Sequence, residues 1–219
     1  MVRSALLVVL VGGCVGGGDS GDSAADTGPG SGCTPATDAS TTAIVTDIDE
    51  TLTTDDTEWL HQIIDPDYDP AMRPDADALM NGYHDLGYRV FYITARGESL
   101  GLVDGTSARD ATEGWLEAHD FPYSSGDVYL ADGLGATGDS AVDYKSGVIL
   151  DLMGSGVSVV WAYGNADTDV EAYQAAGIPD DHIFLVGDLA GEYGVEAIPT
   201  ADAYTSHMAA FLPTVPCAG

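Results

Sequence analysis

The sequence predicts an α/β fold, a three-layer, doubly wound parallel sheet without a large cap domain. Short runs suited to buried strands alternate with segments whose apolar residues recur at helical spacing. Each predicted strand is followed by a helix rather than by a hairpin turn, which is typical of parallel sheets with helices on both faces. The connections that follow the first and third strands are too short to contain a large additional domain.

The predicted elements alternate along the chain. The strands are predicted at residues 43–48, 88–94, 128–131, 157–163 and 182–186. The helices are predicted at residues 74–86, 106–119, 144–153 and 170–176, the first with Pro74 near its start and Gly87 as its stop. Residues 53–70 are polar and irregular, and we interpret them as a flap over the end of the first strand.

The amino terminus predicts export. Residues 1–13 contain Arg3, a short apolar core and small residues before Cys14. The sequence Val-Gly-Gly-Cys resembles a lipobox, so we expect a bacterial lipoprotein, lipidated at Cys14 and membrane-anchored, in the periplasm or at the cell surface. The alternative is an ordinary signal peptide with an incidental cysteine. Residues 14–42 are rich in Gly, Ser and Asp and predict a flexible linker, and residues 43–216 fit one domain.

The other two cysteines flank this domain. An exported compartment permits a disulfide between Cys33 and Cys217, and the alternative is two free thiols. The chain has neither a CxxC motif nor paired histidines at ligand spacing, so zinc is not expected.

The charge balance excludes one class of partner. The sequence has 6 basic and 36 acidic residues, a net charge of −30. Nucleic-acid binding requires basic patches that this chain lacks. Lys145 is the only lysine in the chain, and it stands at what we predict to be the head of a helix. In so acidic a sequence, that placement indicates a phosphate or a carboxylate cluster as its partner.

Candidate functional residues follow the ends of the predicted strands. Because ligands of such sheets bind beyond the carboxyl ends of the strands, these residues are expected to meet at one edge, which Lys145 can also reach. The residues in this position are Asp47, Asp49, Thr51, Thr94, Arg96, Asn165 and Asp169.

The two aspartates after the first strand suit phosphoryl transfer. Asp47 is the candidate nucleophile, which would form an aspartyl-phosphate. Asp49 is the candidate acid that protonates the leaving oxygen and later activates water. We expect Mg²⁺ to be held by Asp47, the backbone carbonyl of Asp49 and Asp169, with Asn165 orienting a metal-bound water.

Four further residues complete the predicted site. Thr94 and Lys145 are expected to hold the phosphoryl oxygens during catalysis. Thr51 and Arg96 are candidates for substrate binding, although Arg96 could equally pair with one of the many carboxylates.

The motifs DIDET, ITAR and GNADTD, together with Lys145, resemble those of the haloacid-dehalogenase-like superfamily. The closer resemblance is to the lipin-type C-terminal domain of the phosphatidate phosphatase lipins and of the membrane-associated phosphatidylinositol transfer proteins. It covers residues 43–213 and is most specific at residues 164–187. Two departures stand out: Glu50 replaces a glycine of lipins, and Asn165 replaces an aspartate of many relatives.

The two branches of this resemblance imply different functions. The lipin branch implies Mg²⁺-dependent hydrolysis of phosphatidic acid or a related phospholipid. The transfer-protein branch implies binding of phosphatidic acid, or another interaction, without catalysis. Because Asp47 and Asp49 are both present, we expect a phosphatase, with soluble phosphomonoesters as the main alternative substrates.

Overall fold

The computed structural model describes residues 32–198 and 204–219. Within them, six strands form one parallel sheet in the order β3-β2-β1-β4-β5-β6. The strands are β1 (Thr42–Thr46), β2 (Arg89–Gly97), β3 (Val128–Ala131), β4 (Ser158–Gly164), β5 (Ile183–Val186) and β6 (Glu196–Ile198). The predicted parallel α/β architecture is confirmed.

Helices cover both faces of the sheet. They are α1 (Thr57–Ile64), α2 (Ala76–Asp85), α3 (Ala108–Ala118), α4 (Asp139–Gly154), α5 (Asp167–Ala175) and α6 (Tyr204–Phe211). One core contains Leu79 of α2, Trp115 of α3 and Tyr204 of α6. The other contains Ile149 of α4 and Tyr173 of α5. The sheet therefore separates two apolar layers.

The central strand β1 shows why this sequence suits a buried sheet. Ile44 packs into the first core, whereas Ala43 and Val45 pack into the second, because successive side chains of a strand point to opposite faces. Strand order reverses between β1 and β4. At such a reversal the connections diverge to opposite sides, which opens a crevice beyond the carboxyl ends of the strands.

Two element predictions were wrong in detail. Helix α4 begins at Asp139, so Lys145 lies in its second turn and not at a helix head. The first turn of α4 begins with the exposed Asp139 and Ser140 and buries only Ala141, which is too weak an apolar signal for a periodicity analysis. The predicted flap at residues 53–70 contains α1, an eight-residue helix that buries Trp59 and Gln62.

The segment predicted to be a linker is partly folded onto the domain. Cys33 forms a disulfide with Cys217 across a sequence separation of 184 residues. The amide of Ala36 donates a hydrogen bond to the carbonyl of His84 at 2.8 Å. Residues 33–42 are thus part of the domain and not flexible linker. Residues 1–31, with the predicted signal peptide and Cys14, lie outside the described residues.

A helix that spans a bilayer needs about 20 predominantly apolar residues. None of the helices within residues 32–198 and 204–219 is both long enough and apolar enough to cross a bilayer.

Candidate active site

A cleft of about 150 Å³ opens at the carboxyl edge of the sheet. It lies where β1 and β4 end, at the reversal of strand order. Five of the residues predicted from the sequence line it: Asp47, Asp49, Lys145, Asn165 and Asp169. The fold therefore brings together residues from both halves of the chain.

Lys145 joins the two buried carboxylates of the cleft. Its Nζ donates hydrogen bonds to Asp47 Oδ1 at 2.7 Å and to Asp169 Oδ1 at 2.5 Å. The other oxygen of Asp169 accepts from the backbone amides of Asn165 and Ala166 at 3.0 and 3.1 Å. One ammonium group thus connects the end of β1 to the first turn of α5.

Burial dominates the electrostatics of this cluster. It raises the pKa of Asp47 to about 7, against the opposing effect of Lys145 and with further rises from Asp169 and Asp49. Burial disfavours the charged form of Lys145, but Asp169 and Asp47 outweigh it and raise the pKa of the lysine. Two carboxylates facing one ammonium leave an excess of negative charge, which an additional cation would offset.

Asp49 is held by a different cation. Arg96 donates from Nε to both carboxylate oxygens, at 3.1 and 2.9 Å, and from Nη2 to Oδ1 at 2.8 Å. Thr94 Oγ1 donates to Oδ2 at 3.0 Å. This arrangement is the bidentate pairing that suits the planar guanidinium group.

The remaining contacts of Arg96 favour the alternative prediction for this residue, pairing with a carboxylate, over substrate binding. Its Nη1 donates to Thr112 Oγ1 at 3.0 Å, and the guanidinium lies over the ring of Trp59 at 4.4 Å. The side chain is only 2% exposed, whereas that of Asp49 is 21% exposed. All three guanidinium nitrogens therefore have protein partners, and Asp49 is the group that faces the cleft.

Thr51 also differs from its predicted role in substrate binding. It is fully buried, and its hydroxyl donates to Asn165 Oδ1 at 3.0 Å. The same hydroxyl lies 3.3 Å from Asp47 Oδ2. Thr51 thus supports the side chains of the site from behind instead of contacting a substrate. Thr94, predicted to hold phosphoryl oxygens, is likewise buried and bonded to Asp49.

Sequence reasoning missed several residues of the site. Asp56 lines the cleft, although the polar flap was interpreted only as a cover. Glu50 accepts a hydrogen bond from Asn165 Nδ2 at 3.1 Å, and its place between Asp49 and Thr51 was the available signal. Trp59 and Thr112 contact Arg96 from α1 and α3, which no local pattern indicates.

The predicted donors suit a magnesium ion in their chemical type. Within residues 32–198 and 204–219, no three or more His, Cys, Asp and Glu side chains are grouped to hold a metal. The candidate donors are instead mixed: the carboxylates of Asp47 and Asp169, the backbone carbonyl of Asp49 and the amide oxygen of Asn165. All are hard oxygen donors of the kind Mg²⁺ prefers. The 3.3 Å contact to Thr51 is long for an O–H donor, so Asp47 Oδ2 has capacity for a cation.

Comparisons with known proteins agree on the kind of domain. The family model described as PITM 1-3, LNS2 domain matches residues 44–187, which include every residue discussed above from Asp47 to Asp169. Membrane-associated phosphatidylinositol transfer protein 3 of Mus musculus is 29% identical over 143 residues, 65% of this chain and 13% of that protein. Protein retinal degeneration B of Drosophila melanogaster is 29% identical over 142 residues, 64% of this chain and 10% of that protein. The matched region is therefore about an eighth or less of these relatives.

Two solved structures are similar over part of the chain. A class C acid phosphatase from Bacillus anthracis with tungstate bound has a TM-score of 0.44 and 18% identity, covering 59% of this chain and 54% of that one. DsGPDH of Dunaliella salina has a TM-score of 0.43 and 19% identity, covering 70% of this chain and 24% of that one.

Proposed function

The chain belongs to the PITM 1-3 LNS2 domain family, and from this premise we propose that it is a Mg²⁺-dependent phosphomonoester hydrolase acting through an aspartyl-phosphate. The family match confirms the resemblance to the lipin-type domain that the motifs predicted. The observation that carries the proposal is the buried contact of Lys145 with Asp47 and Asp169, with Asp49 two residues from Asp47 at the same cleft.

Asp47 is the nucleophile in the proposed reaction. A carboxylate oxygen of Asp47 forms a bond to phosphorus while the bond from phosphorus to the ester oxygen breaks. Lys145 offsets negative charge beside the reacting carboxylate and fixes its orientation through Oδ1. Asp169 holds Lys145 in place from the opposite side.

Asp49 transfers the protons. It gives a proton to the leaving oxygen in the first step and accepts one from the attacking water in the second. The water oxygen bonds to phosphorus, the bond from phosphorus to Asp47 breaks, and inorganic phosphate leaves. Arg96 and Thr94 fix the position of the Asp49 carboxylate throughout.

A magnesium ion held by Asp47, Asp169, the carbonyl of Asp49 and the amide oxygen of Asn165 would supply Lewis-acid stabilisation of the phosphoryl charge. Without it, the excess negative charge of the buried carboxylates opposes the approach of an anionic phosphate. The chain's own contribution is to bring the oxygen donors of Asp169 and Asn165 and the ammonium of Lys145 to the cleft that Asp47 lines.

We propose phosphatidic acid or a related phospholipid as the substrate class. Membrane-associated phosphatidylinositol transfer proteins are among the relatives, and no large cap domain closes the cleft within the described residues. An open cleft admits a phosphate presented at a lipid surface or on a bulky molecule. The same relatives favour a second candidate function, which is binding of the lipid phosphate without turnover.

A lipid anchor at Cys14 would complement such a substrate. This part of the proposal rests on residues 1–14 of the sequence, which predict a bacterial lipoprotein exported to the periplasm or cell surface. Metabolic labelling with palmitate should mark the wild type and leave Cys14→Ser unlabelled. Equal labelling of both proteins would contradict lipidation at Cys14.

Phosphate release tests the function directly. Vesicles containing phosphatidic acid and soluble aryl and alkyl phosphates are supplied with Mg²⁺ or with a chelator. We expect Mg²⁺-dependent release, reduced about 100-fold to 10,000-fold in Asp49→Asn because the general acid and base is lost. Asp181→Asn is the matched control, since Asp181 is exposed and precedes the amino end of β5, whereas the cleft lies at the carboxyl ends of the strands. Binding of phosphatidic acid with no release from any ester would favour the second function instead.

A further inference from the structure

Glu50 adopts a backbone conformation that its side chain disfavours. Its φ of 54° lies in the left-handed region, where a Cβ atom is strained and glycine is not. Two neighbouring side chains, Thr53 and Arg73, hold this conformation through the backbone amide and carbonyl of Glu50. The amide donates to Thr53 Oγ1 at 2.9 Å, and the carbonyl accepts from Arg73 Nε at 3.2 Å and Nη2 at 2.7 Å. A glycine here would make the same three hydrogen bonds without the strain.

The glutamate side chain makes a contact that glycine cannot replace. Its Oε2 accepts a hydrogen bond from Asn165 Nδ2 at 3.1 Å. On the other side of the same amide, Oδ1 accepts from the hydroxyl of Thr51, which also lies near Asp47. Strain that persists beside a functional cleft is a reason to look for a role of the strained residue.

The chemistry of the two partners fixes which way the Asn165 amide points. Oε2 of Glu50 is the acceptor in this contact, and of the two polar atoms of the Asn165 amide only the nitrogen can donate to it. The amide oxygen is then left to face Thr51 and Asp47. If the amide were rotated by about 180°, its nitrogen would face Thr51 and Asp47 instead of its oxygen. An N–H group is a hydrogen-bond donor and does not bind a cation.

We propose that Glu50 is a positioning residue that orients the amide oxygen of Asn165 toward the cation position beside Asp47. The inference rests on the proposed function, because this orientation matters only if Mg²⁺ binds there. In this account the strained backbone of Glu50 is retained for the orientation of Asn165 and not for the stability of the turn.

Paired glycine substitutions test this role. Asp120 offers a matched control, since it has a φ of 58°, carries the same charge and lies at the end of α3, exposed and away from the cleft. Mg²⁺ binding is measured by titration calorimetry, and the melting temperature is measured without metal. We expect Glu50→Gly to bind Mg²⁺ about tenfold or more weakly while melting at or above the wild-type temperature. Asp120→Gly should bind Mg²⁺ as the wild type does.

Glu50→Gln separates orientation from charge. Its amide oxygen still accepts from Asn165 Nδ2, so affinity for Mg²⁺ should stay much closer to that of the wild type than in Glu50→Gly. A loss in Glu50→Gln as large as in Glu50→Gly would overturn the inference in favour of a charge effect. A loss of affinity that accompanies a lower melting temperature in Glu50→Gly would overturn it in favour of a structural role.

The same titration distinguishes this inference from the proposed function. If the wild type binds Mg²⁺ and Glu50→Gly binds it equally well, the positioning role is wrong and the hydrolase proposal stands. If the wild type binds no Mg²⁺, the metal-dependent hydrolase and the positioning role both fall.

Discussion

The two ends of the sheet are built in opposite ways. At the carboxyl end, Lys145 and Arg96 hold carboxylates in a polar cleft. At the amino end of β2, the Cys33–Cys217 disulfide closes the chain, and the amide of Ala218 donates to the carbonyl of Leu86 at 2.8 Å. The first end gathers carboxylates and cations around a cleft, which favours chemistry more than stability. The second joins the two ends of the domain, and its buried ion pair, Arg89 with Asp127, lies at the start of β2 and not at the cleft.

Stability and function are therefore separable in this domain, except where a charge at the cleft is buried. Buried ion pairs contribute little net stability when intact, yet removal of one partner is strongly destabilising. A change at the amino end should therefore affect stability alone. A change at the carboxyl end should affect catalysis, and also stability when it leaves a carboxylate unpaired.

The largest effect is expected for Lys145→Met. The substitution leaves Asp47 and Asp169 buried without their shared counter-charge, which should lower the free energy of unfolding by about 3 to 5 kcal/mol. Urea denaturation measures this change in the free energy of unfolding. Asp151→Asn, on an exposed position of the same helix, serves as the control. The error of such a comparison is about 1 kcal/mol. A free energy of unfolding within that error of the wild-type value would show that Lys145 does not stabilise the buried carboxylates of Asp47 and Asp169.

The disulfide should have the next largest effect, on stability alone. Replacing Cys33 and Cys217 by serine should lower the free energy of unfolding by about 2 to 4 kcal/mol, because the bridge constrains a long loop of the unfolded chain. Phosphate release at a temperature where the variant stays folded should be unchanged. A selective loss of turnover would contradict the separation of the two ends.

Arg96→Lys should lower turnover about tenfold, because lysine lacks the planar fork that fixes Asp49. The control is Arg109→Lys, because Arg109 is a half-buried arginine that also forms ion pairs, with Glu98 and Glu113, but does not line the cleft. Turnover by Arg109→Lys should equal that of the wild type. Equal turnover by Arg96→Lys would mean that the bidentate contact does not position Asp49 for catalysis.

The smallest effect concerns pH and His207 of α6. Burial lowers the pKa of His207 to about 4, and its Nε2 contacts the Tyr163 hydroxyl at 2.9 Å. The unfolded chain, with a histidine pKa near 6.5, binds more protons between these values, so stability is lost as pH falls from about 6.5 toward 4. The loss should be about 1 kcal/mol, since the ring is partly exposed. Denaturation of wild type and His207→Gln at pH 7 and pH 5 should show a smaller drop in the variant. Equal losses of stability in the two proteins would show that His207 does not cause the pH dependence.

The sheet and the position of the cleft could be predicted because their signals lie in short, contiguous stretches of the sequence. Strands such as residues 43–48 are short apolar runs, and the polar residues that follow them mark the carboxyl edge directly. Lys145 was informative because it is the only lysine in the chain. The position of Lys145 within α4 was predicted wrongly, since that helix begins with the exposed polar residues Asp139 and Ser140 and its first turn buries only Ala141.

The partners within the site depended on tertiary contacts that no local pattern contains. With 36 acidic residues available, the sequence offers no means of choosing Asp49 as the partner of Arg96. The left-handed backbone of Glu50 likewise arises from hydrogen bonds with Arg73 and Thr53, and the arginine lies 23 positions away in the sequence. Such features become visible only when the chain is folded.

Attack on phosphorus by Asp47 is tested by covalent trapping of the phosphorylated aspartate. The wild type is mixed with substrate and Mg²⁺, quenched in acid during turnover and reduced with borohydride, which converts an aspartyl-phosphate to homoserine. Mass spectrometry of the peptide containing DIDET should then show homoserine at position 47. The same peptide of Asp49→Asn incubated without substrate should contain no homoserine. Turnover with an unmodified Asp47, or with the label at another residue, would contradict the account.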